Sequence, residues 1–85
     1  MKSPQNRIKQ LRNDHIPKLT QENLANEIGV SKLTISRWEN EEVQIKPDKA
    51  KQLADYFGVS VPYLLGFSDF RTAKDEFENE IQKQD

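Results

Sequence analysis

Residues 20–40, TQENLANEIGVSKLTISRWEN, decide the fold of this chain, because they predict two short helices joined by one tight turn. Thr20 is a suitable N-cap for the first helix, since its hydroxyl can accept a bond from an otherwise unpaired backbone N–H. Gly29 then supplies the left-handed conformation that ends this helix. The apolar positions between them fall on one helical face: Leu24, Ala25 and Ile28.

The second helix has an unusual outward face. Ser31 is its N-cap, and Ile35 and Trp38, three residues apart, form its inward stripe. At about 100° per residue, the opposite side carries Lys32, Leu33, Ser36, Arg37 and Asn40. Such a face suits the major groove of DNA, where cations bond guanine O6 and N7 or phosphates and an apolar group contacts a thymine methyl.

The same kind of spacing continues outside this stretch. The pattern is Arg7-x-x-x-Leu11-Arg12, Leu19-Thr20-Gln21-x-x-Leu24-Ala25, Gly29-Val30-Ser31, Thr34-Ile35-Ser36-x-Trp38-Glu39-Asn40, then Leu53-Ala54-x-x-Phe57-Gly58-Val59-Ser60 with Tyr63-Leu64-Leu65-Gly66. In the turn between its helices, its capping residues and its core positions, the chain resembles the Cro/repressor-type helix-turn-helix regulators of phages and bacteria over residues 5–66.

The resemblance implies an all-α fold, a compact five-helix lambda-repressor-like domain over residues 1–66. The charge and the apolar spacing of residues 67–85 predict an acidic amphipathic helix or tail after it. The resemblance further implies a sequence-specific DNA-binding transcriptional regulator, most simply a repressor that binds an inverted-repeat operator as a dimer. The expected base-reading residues are Lys32, Leu33, Ser36 and Arg37. The expected phosphate-binding or positioning residues are Gln21, Ser31, Thr34 and Asn40. The resemblance also pairs Arg12 with Glu39, which would tie the first helix to the third.

Composition limits the other classes of function. The net charge is −1, but residues 1–40 carry +3 and residues 41–85 carry −4, so the front half is basic. No cysteine, one histidine and no phosphate-binding loop leave no basis for an enzyme, a metal site or a cofactor. The sequence contains no long apolar run that would predict a membrane span or a secretory signal, so a cytoplasmic protein is expected.

Local signals place the remaining helices. Ser3-Pro4 predicts the start of the first helix and Pro47 that of the fourth, because proline fits the first helical position. Gly58-Val59-Ser60 repeats the pattern of Gly29-Val30-Ser31: a glycine ends one helix, an apolar residue packs on the next helix, and a serine caps that helix. His15, in the loop before the second helix, is expected to be exposed. Tyr63, Leu64 and Leu65 are expected to close the core.

The resemblance breaks at Glu41-Glu42, where family members usually carry glycine and a basic residue. Two carboxylates there would oppose a phosphate contact. Asn40 is then the residue expected to adopt the left-handed conformation at the helix end.

Two questions remain open from the sequence. Phe70, Ala73, Phe77 and Ile81 recur at helical spacing, so the tail is expected to fold back on its own domain or to pair with another chain as a dimerisation helix. In many members of the resembled family a further domain follows, so the tail is alternatively a linker to such a domain. The second question is the function, because the acidic residues 41–85 also fit a protein-interaction module such as an antitoxin or a bridging factor. The expected partners are double-stranded operator DNA and a second copy of the chain, with RNA polymerase a further candidate.

Overall fold

The structure is a computed structural model, and it describes residues 5–72 as five short helices connected by turns and loops. The helices are α1 (Ile8–Asp14), α2 (Gln21–Ile28), α3 (Lys32–Glu39), α4 (Pro47–Phe57) and α5 (Val61–Leu65). No strand occurs within residues 5–72, so the predicted all-α architecture of five helices is confirmed. The predicted tail helix lies almost entirely outside the described residues.

The two helices of the central turn are capped as the sequence predicted. Thr20 Oγ1 accepts a bond from the Asn23 N–H at 3.0 Å, and Asn23 Oδ1 accepts from the Thr20 N–H at 3.2 Å, which makes a reciprocal capping box. Ser31 Oγ accepts from the Thr34 N–H at 3.1 Å. Gly29, with φ of 83°, takes the left-handed conformation between the helices.

The same arrangement recurs between α4 and α5. Pro47 occupies the first turn of α4, and the left-handed Gly58 ends it. Ser60 Oγ accepts from the Tyr63 N–H at 3.2 Å and so caps α5. These predicted boundaries are confirmed, because caps and stop residues act within one helical turn of their own position.

The first helix begins later than the sequence predicted. Ser3-Pro4 lies outside the described residues, residues 5–7 are not helical, and α1 starts at Ile8. Asn6 explains the late start: its Oδ1 accepts from the Ile8 N–H at 3.2 Å, and its side-chain amide donates to the Trp38 carbonyl at 2.8 Å. A bond to a distant part of the chain therefore holds this segment outside the helix.

Every helix contributes to one core. Five large side chains have almost no exposed surface, one from each helix: Ile8, Leu24, Ile35, Leu53 and Leu64. Burying such a side chain stabilises the folded state by about 1.5–3 kcal/mol relative to leaving it exposed. Trp38 and Tyr63 are also buried, whereas Phe57 and Leu65 pack against the core with part of their surface exposed. The core thus fixes the back of α3 and leaves its other side free.

The loop before α2 packs more closely than expected. His15 is only partly exposed, and its ring stacks on Tyr56 with centroids 5.9 Å apart and meets the edge of Phe57 at 6.3 Å. The histidine is therefore less exposed to solvent than expected. The reason is tertiary, because the last turn of α4 brings two aromatic rings to this loop.

Candidate nucleic-acid interface

The outer face of α3 presents two cations around one apolar side chain. Ile35 and Trp38 are buried on the back of the helix, while Lys32, Leu33 and Arg37 are exposed. Leu33 keeps 57% of its surface exposed although α3 packs firmly on the core. Within residues 5–72, neither Lys32 nor Arg37 takes part in an ion pair. Both cations are therefore available to a partner outside the domain.

The polar groups of α3 lie at its two ends. At the N-terminal end, the hydroxyls of Ser31 and Thr34 are 3.0 Å apart, and Ser31 also caps the helix. At the C-terminal end, the exposed Asn40 donates from Nδ2 to Ser36 Oγ at 3.4 Å. These side chains can each bind a phosphate oxygen or a base edge, because hydroxyls and amides both donate hydrogen bonds.

A buried ion pair joins α1 to α3. Arg12 Nε donates to Glu39 Oε2 at 2.8 Å and Arg12 Nη2 donates to Glu39 Oε1 at 3.1 Å, a bidentate arrangement. The two side chains are 11% and 3% exposed. Arg12 also donates from Nη1 to the Leu19 carbonyl at 3.0 Å, just before α2. One guanidinium therefore connects three parts of the chain.

Gln21 joins the same buried group. Its Nε2 donates to Glu39 Oε1 at 3.1 Å, so the Glu39 carboxylate receives bonds from both α1 and the start of α2. The resemblance paired Glu39 with Arg12 alone, and the contact from Gln21 had no signal in the sequence. This arrangement holds the N-terminus of α2 against the end of α3.

A shallow concavity lies between the N-terminal ends of α2 and α3. Its lining residues are Arg12, Lys18, Leu19, Thr20, Gln21, Glu22 and Lys32. Arg12 is already paired with Glu39, but Lys18 and Lys32 outnumber the Glu22 carboxylate there. The start of α2 adds to the preference for an anionic group, because the first backbone N–H groups of a helix lack internal partners. The structure thus brings Gln21 and Lys32 to one place and adds Lys18, which the sequence reasoning did not include.

The end of α3 differs from the expectation. Asn40 has φ of −90° and is not left-handed, whereas Glu41 has φ of 59°. The Glu41 N–H donates to the Trp38 carbonyl at 3.1 Å and the Glu42 N–H to the Arg37 carbonyl at 2.9 Å, which is a Schellman motif. The left-handed residue of such a motif is usually glycine, so Glu41 occupies a strained position.

Glu41 is held there by the segment before α1. Its Oε1 accepts from the Asn6 backbone N–H at 2.8 Å and from Asn6 Nδ2 at 2.9 Å. Together with the bond from Asn6 to the Trp38 carbonyl, these contacts make a clasp between the N-terminal segment and the end of α3. No local sequence pattern could have predicted it, because Asn6 and Glu41 are 35 residues apart.

The chain matches a family model described as Helix-turn-helix, HTH_3, over residues 8–64, which is more than half of its length. The chain belongs to this helix-turn-helix family. The resemblance to Cro/repressor-type regulators is thereby confirmed. The family is one of DNA-binding regulators and not of enzymes.

A relative within the helix-turn-helix group is the uncharacterized HTH-type transcriptional regulator YobD of Bacillus subtilis (strain 168). It is 41% identical to this chain over 73 residues, which cover 86% of this chain and 63% of that protein. The chain therefore spans less than two thirds of that relative's length. No solved structure shows a significant match to this helix-turn-helix chain.

Two kinds of feature are absent from residues 5–72. No group of three or more His, Cys, Asp or Glu side chains in that range could hold a metal ion. None of the helices that the structure describes is long and apolar enough to cross a membrane.

Proposed function

We propose that this helix-turn-helix protein is a sequence-specific DNA-binding transcriptional regulator, a repressor that binds an inverted-repeat operator through α3. The observation that carries the proposal is the outer face of α3, where Lys32, Leu33 and Arg37 are exposed and neither cation has an ion-pair partner within residues 5–72. A helix whose back is buried can enter the major groove only with its opposite side.

Three exposed side chains of α3 and the half-buried Ser36 have roles in this proposal. Arg37 bonds O6 and N7 of a guanine, and Lys32 bonds a second base or a phosphate. Leu33 contacts a thymine methyl, and Ser36 bonds a neighbouring base edge. These four residues read the bases of one half-site.

The remaining polar residues position the helix. Gln21 at the start of α2 and Ser31 and Thr34 at the start of α3 contact phosphates, where the helix N-termini also favour an anion. Asn40 makes a phosphate contact at the other end of α3. Arg12 and Glu39 touch no DNA in this proposal, because their side chains are buried between the helices, where they keep α1, α2 and α3 in a fixed relation.

Two copies bind one operator. The DNA-binding domain comprises residues 1–66, and residues 67–85 form an acidic tail. Two α3 helices in successive major grooves on one side of the DNA are roughly 34 Å apart, which requires an inverted repeat with half-sites one helical turn apart. Occupying a promoter in the cytoplasm would be enough for repression, without any contact to RNA polymerase.

The first prediction concerns Arg37. Selection of bound sites from random duplex DNA should give an inverted repeat, and Arg37→Ala should lose about 1–3 kcal/mol of affinity and its preference for one guanine per half-site. Lys51→Ala is the matched control, because Lys51 is an exposed cation on α4 that pairs with Asp55 away from α3. An Arg37→Ala variant that selects the same sites with the same affinity would refute the assignment.

A protein-interaction module is the second candidate function. The observation that favours it is the pair Glu41-Glu42 at the end of α3, since carboxylates repel phosphates there. The two candidates differ in salt dependence, because phosphate binding releases counterions and weakens steeply as salt is added. Absence of any enriched DNA site at low salt would favour the interaction module.

A further inference from the structure

We infer that Asn6 and Arg7 couple the chain that follows α5 to the end of α3, so that displacing one of these parts changes the other. Asn6 holds the end of α3, and Arg7 holds residues 66–72, which we call the exit segment. The two residues are adjacent in the chain and lie before α1. In its consequence for DNA this inference rests on the proposed function, and it adds a route by which events beyond α5 alter DNA binding.

Asn6 holds the end of α3 through its backbone and its side chain. The side-chain amide donates to the Trp38 carbonyl at 2.8 Å and to Glu41 Oε1 at 2.9 Å, and the Asn6 backbone N–H donates to Glu41 Oε1 at 2.8 Å. The Trp38 carbonyl also accepts from the Glu41 N–H in the Schellman motif. Because the last carbonyl groups of a helix lack partners within the helix, the position of Asn6 contributes directly to how α3 ends.

Arg7 holds the chain on the other side. Its backbone N–H donates to the Leu64 carbonyl at 2.8 Å, and its Nη1 donates to the Tyr63 carbonyl and, at 2.8 Å, to the Ser68 carbonyl. The guanidinium carbon lies 4.1 Å from the centroid of the Tyr63 ring. The ion pair with Asp69, at 3.4 Å to a side chain that is 95% exposed, contributes little. Arg7 therefore holds the exit segment mainly through a carbonyl oxygen.

The exit segment is attached by hydrogen bonds and not by the core. Two of its N–H groups donate to the Pro62 carbonyl at 2.8 and 3.2 Å, and the Ser60 N–H donates to the Arg71 carbonyl at 2.6 Å. None of its residues belongs to the buried core. Segments with few buried apolar contacts open at a smaller free-energy cost than the whole domain. The exit segment can therefore leave the domain while the core stays folded, and Arg7 then loses its bond to it.

Asn6 and Arg7 bridge two parts of the chain that face each other across open space. Phe67 of the exit segment and Val43 after α3 line one open pocket of about 200 Å³, and Asn6 and Glu41 line it too. One peptide bond joins Asn6 to Arg7, and it keeps their Cα atoms about 3.8 Å apart. A shift of Arg7 is therefore passed to Asn6, and from Asn6 to Glu41.

Coupling of this kind acts in both directions. Release of the exit segment frees Arg7, loosens the hold of Asn6 on the end of α3 and so lowers the affinity of α3 for DNA. Conversely, DNA that fixes α3 stabilises the attached state of the exit segment. The chain beyond residue 72 is joined to the domain through this segment, so a partner that draws the segment away weakens DNA binding.

The first experiment needs no DNA and measures amide hydrogen exchange of the full chain by NMR. Arg7→Ala should speed exchange of the Glu41 and Glu42 N–H groups about fivefold, although these groups bond carbonyls of α3 and not Arg7. In the other direction, Asn6→Ala should speed exchange of the exit-segment N–H groups that bond the Pro62 carbonyl by a similar factor.

Thr20→Ala is the matched control for this experiment. It removes the cap of α2, which lowers the stability of the whole domain without touching either end of the coupled route. It should change exchange at the end of α3 less than Arg7→Ala does. Arg7→Lys keeps the charge but lacks the planar fork, so it should give a smaller increase at the same N–H groups, and it serves if Arg7→Ala does not fold. Equal acceleration in the control and in the Arg7 variants would overturn the inference.

The second experiment adds the operator obtained by DNA selection and follows trypsin cleavage after Arg71 by mass spectrometry. Saturating operator should slow this cleavage about fivefold in wild type and in the control Lys51→Ala. Asn6→Ala, also saturated with operator, should lose the protection. Wild type that is cleaved equally fast with and without operator, or protection that survives in Asn6→Ala, would overturn the inference. Wild type that binds no DNA refutes the proposed function, and the exchange experiment then decides on the coupling.

Discussion

At the scale of the residue, Leu33 is the large apolar side chain that α3 leaves exposed. It keeps more than half of its surface exposed on a helix whose other large apolar residues are buried. A leucine that stabilised only the fold would turn toward Ile35 and Trp38, since burial is what stabilises an apolar side chain. Its exposure is the observation behind the base contact proposed for it.

Leu33 gives the second prediction. Replacing one thymine of the selected half-site by uracil removes a single methyl group, and wild type should lose about 0.8 kcal/mol of affinity at that position. Leu33→Ala should bind the two DNAs equally, because the group that contacts the methyl is gone. Fluorescence anisotropy on both duplexes measures the difference. Equal discrimination by both proteins at every thymine would contradict this role.

At the scale of the element, the end of α3 shows how a strained residue is retained. Glu41 occupies the left-handed position of the Schellman motif, which costs a residue with a side chain roughly 1–2 kcal/mol. Its carboxylate accepts two bonds from Asn6, which offset part of that cost. The helix end is thus stabilised from outside the helix.

Two substitutions of Glu41 separate these contributions, and they give the third prediction. Glu41→Ala keeps the strain and loses both bonds, so the free energy of unfolding should fall by about 1–2 kcal/mol. Glu41→Gly loses the same bonds but relieves the strain, and it should be about 1 kcal/mol more stable than the alanine variant. Urea unfolding measures both. An alanine variant as stable as the glycine variant would show that position 41 carries no strain.

The fourth prediction concerns the whole molecule, because Glu39 joins three elements. Glu39→Ala would leave the Arg12 guanidinium buried without its anion, which costs about 3–5 kcal/mol, a large part of the stability of a small domain. Asp55→Ala, which breaks the exposed pair with Lys51, should change the free energy of unfolding little. Thermal and urea unfolding compare the two. Similar stability of both variants would mean that the buried pair does not hold the helices together.

The sequence by itself determined the boundaries of α2 to α5 and the candidate face of α3. Thr20, Ser31 and Ser60 cap helices through bonds to residues three positions away, and Gly29 and Gly58 end them, so the signals are local and can be read in order. Helical periodicity likewise separated the buried Ile35 and Trp38 from the exposed side of α3. The sequence alone therefore predicts features that depend on residues within one or two helical turns of each other.

Only the tertiary structure decided how the helices are placed relative to one another and which contacts hold them there. The late start of α1, the left-handed Glu41 and the stacked His15 each depend on a partner that is distant in sequence. The same holds for Gln21 on Glu39, and for Phe67 and Val43 at one pocket. Local patterns cannot specify these contacts, because packing of the complete core brings the partners within reach.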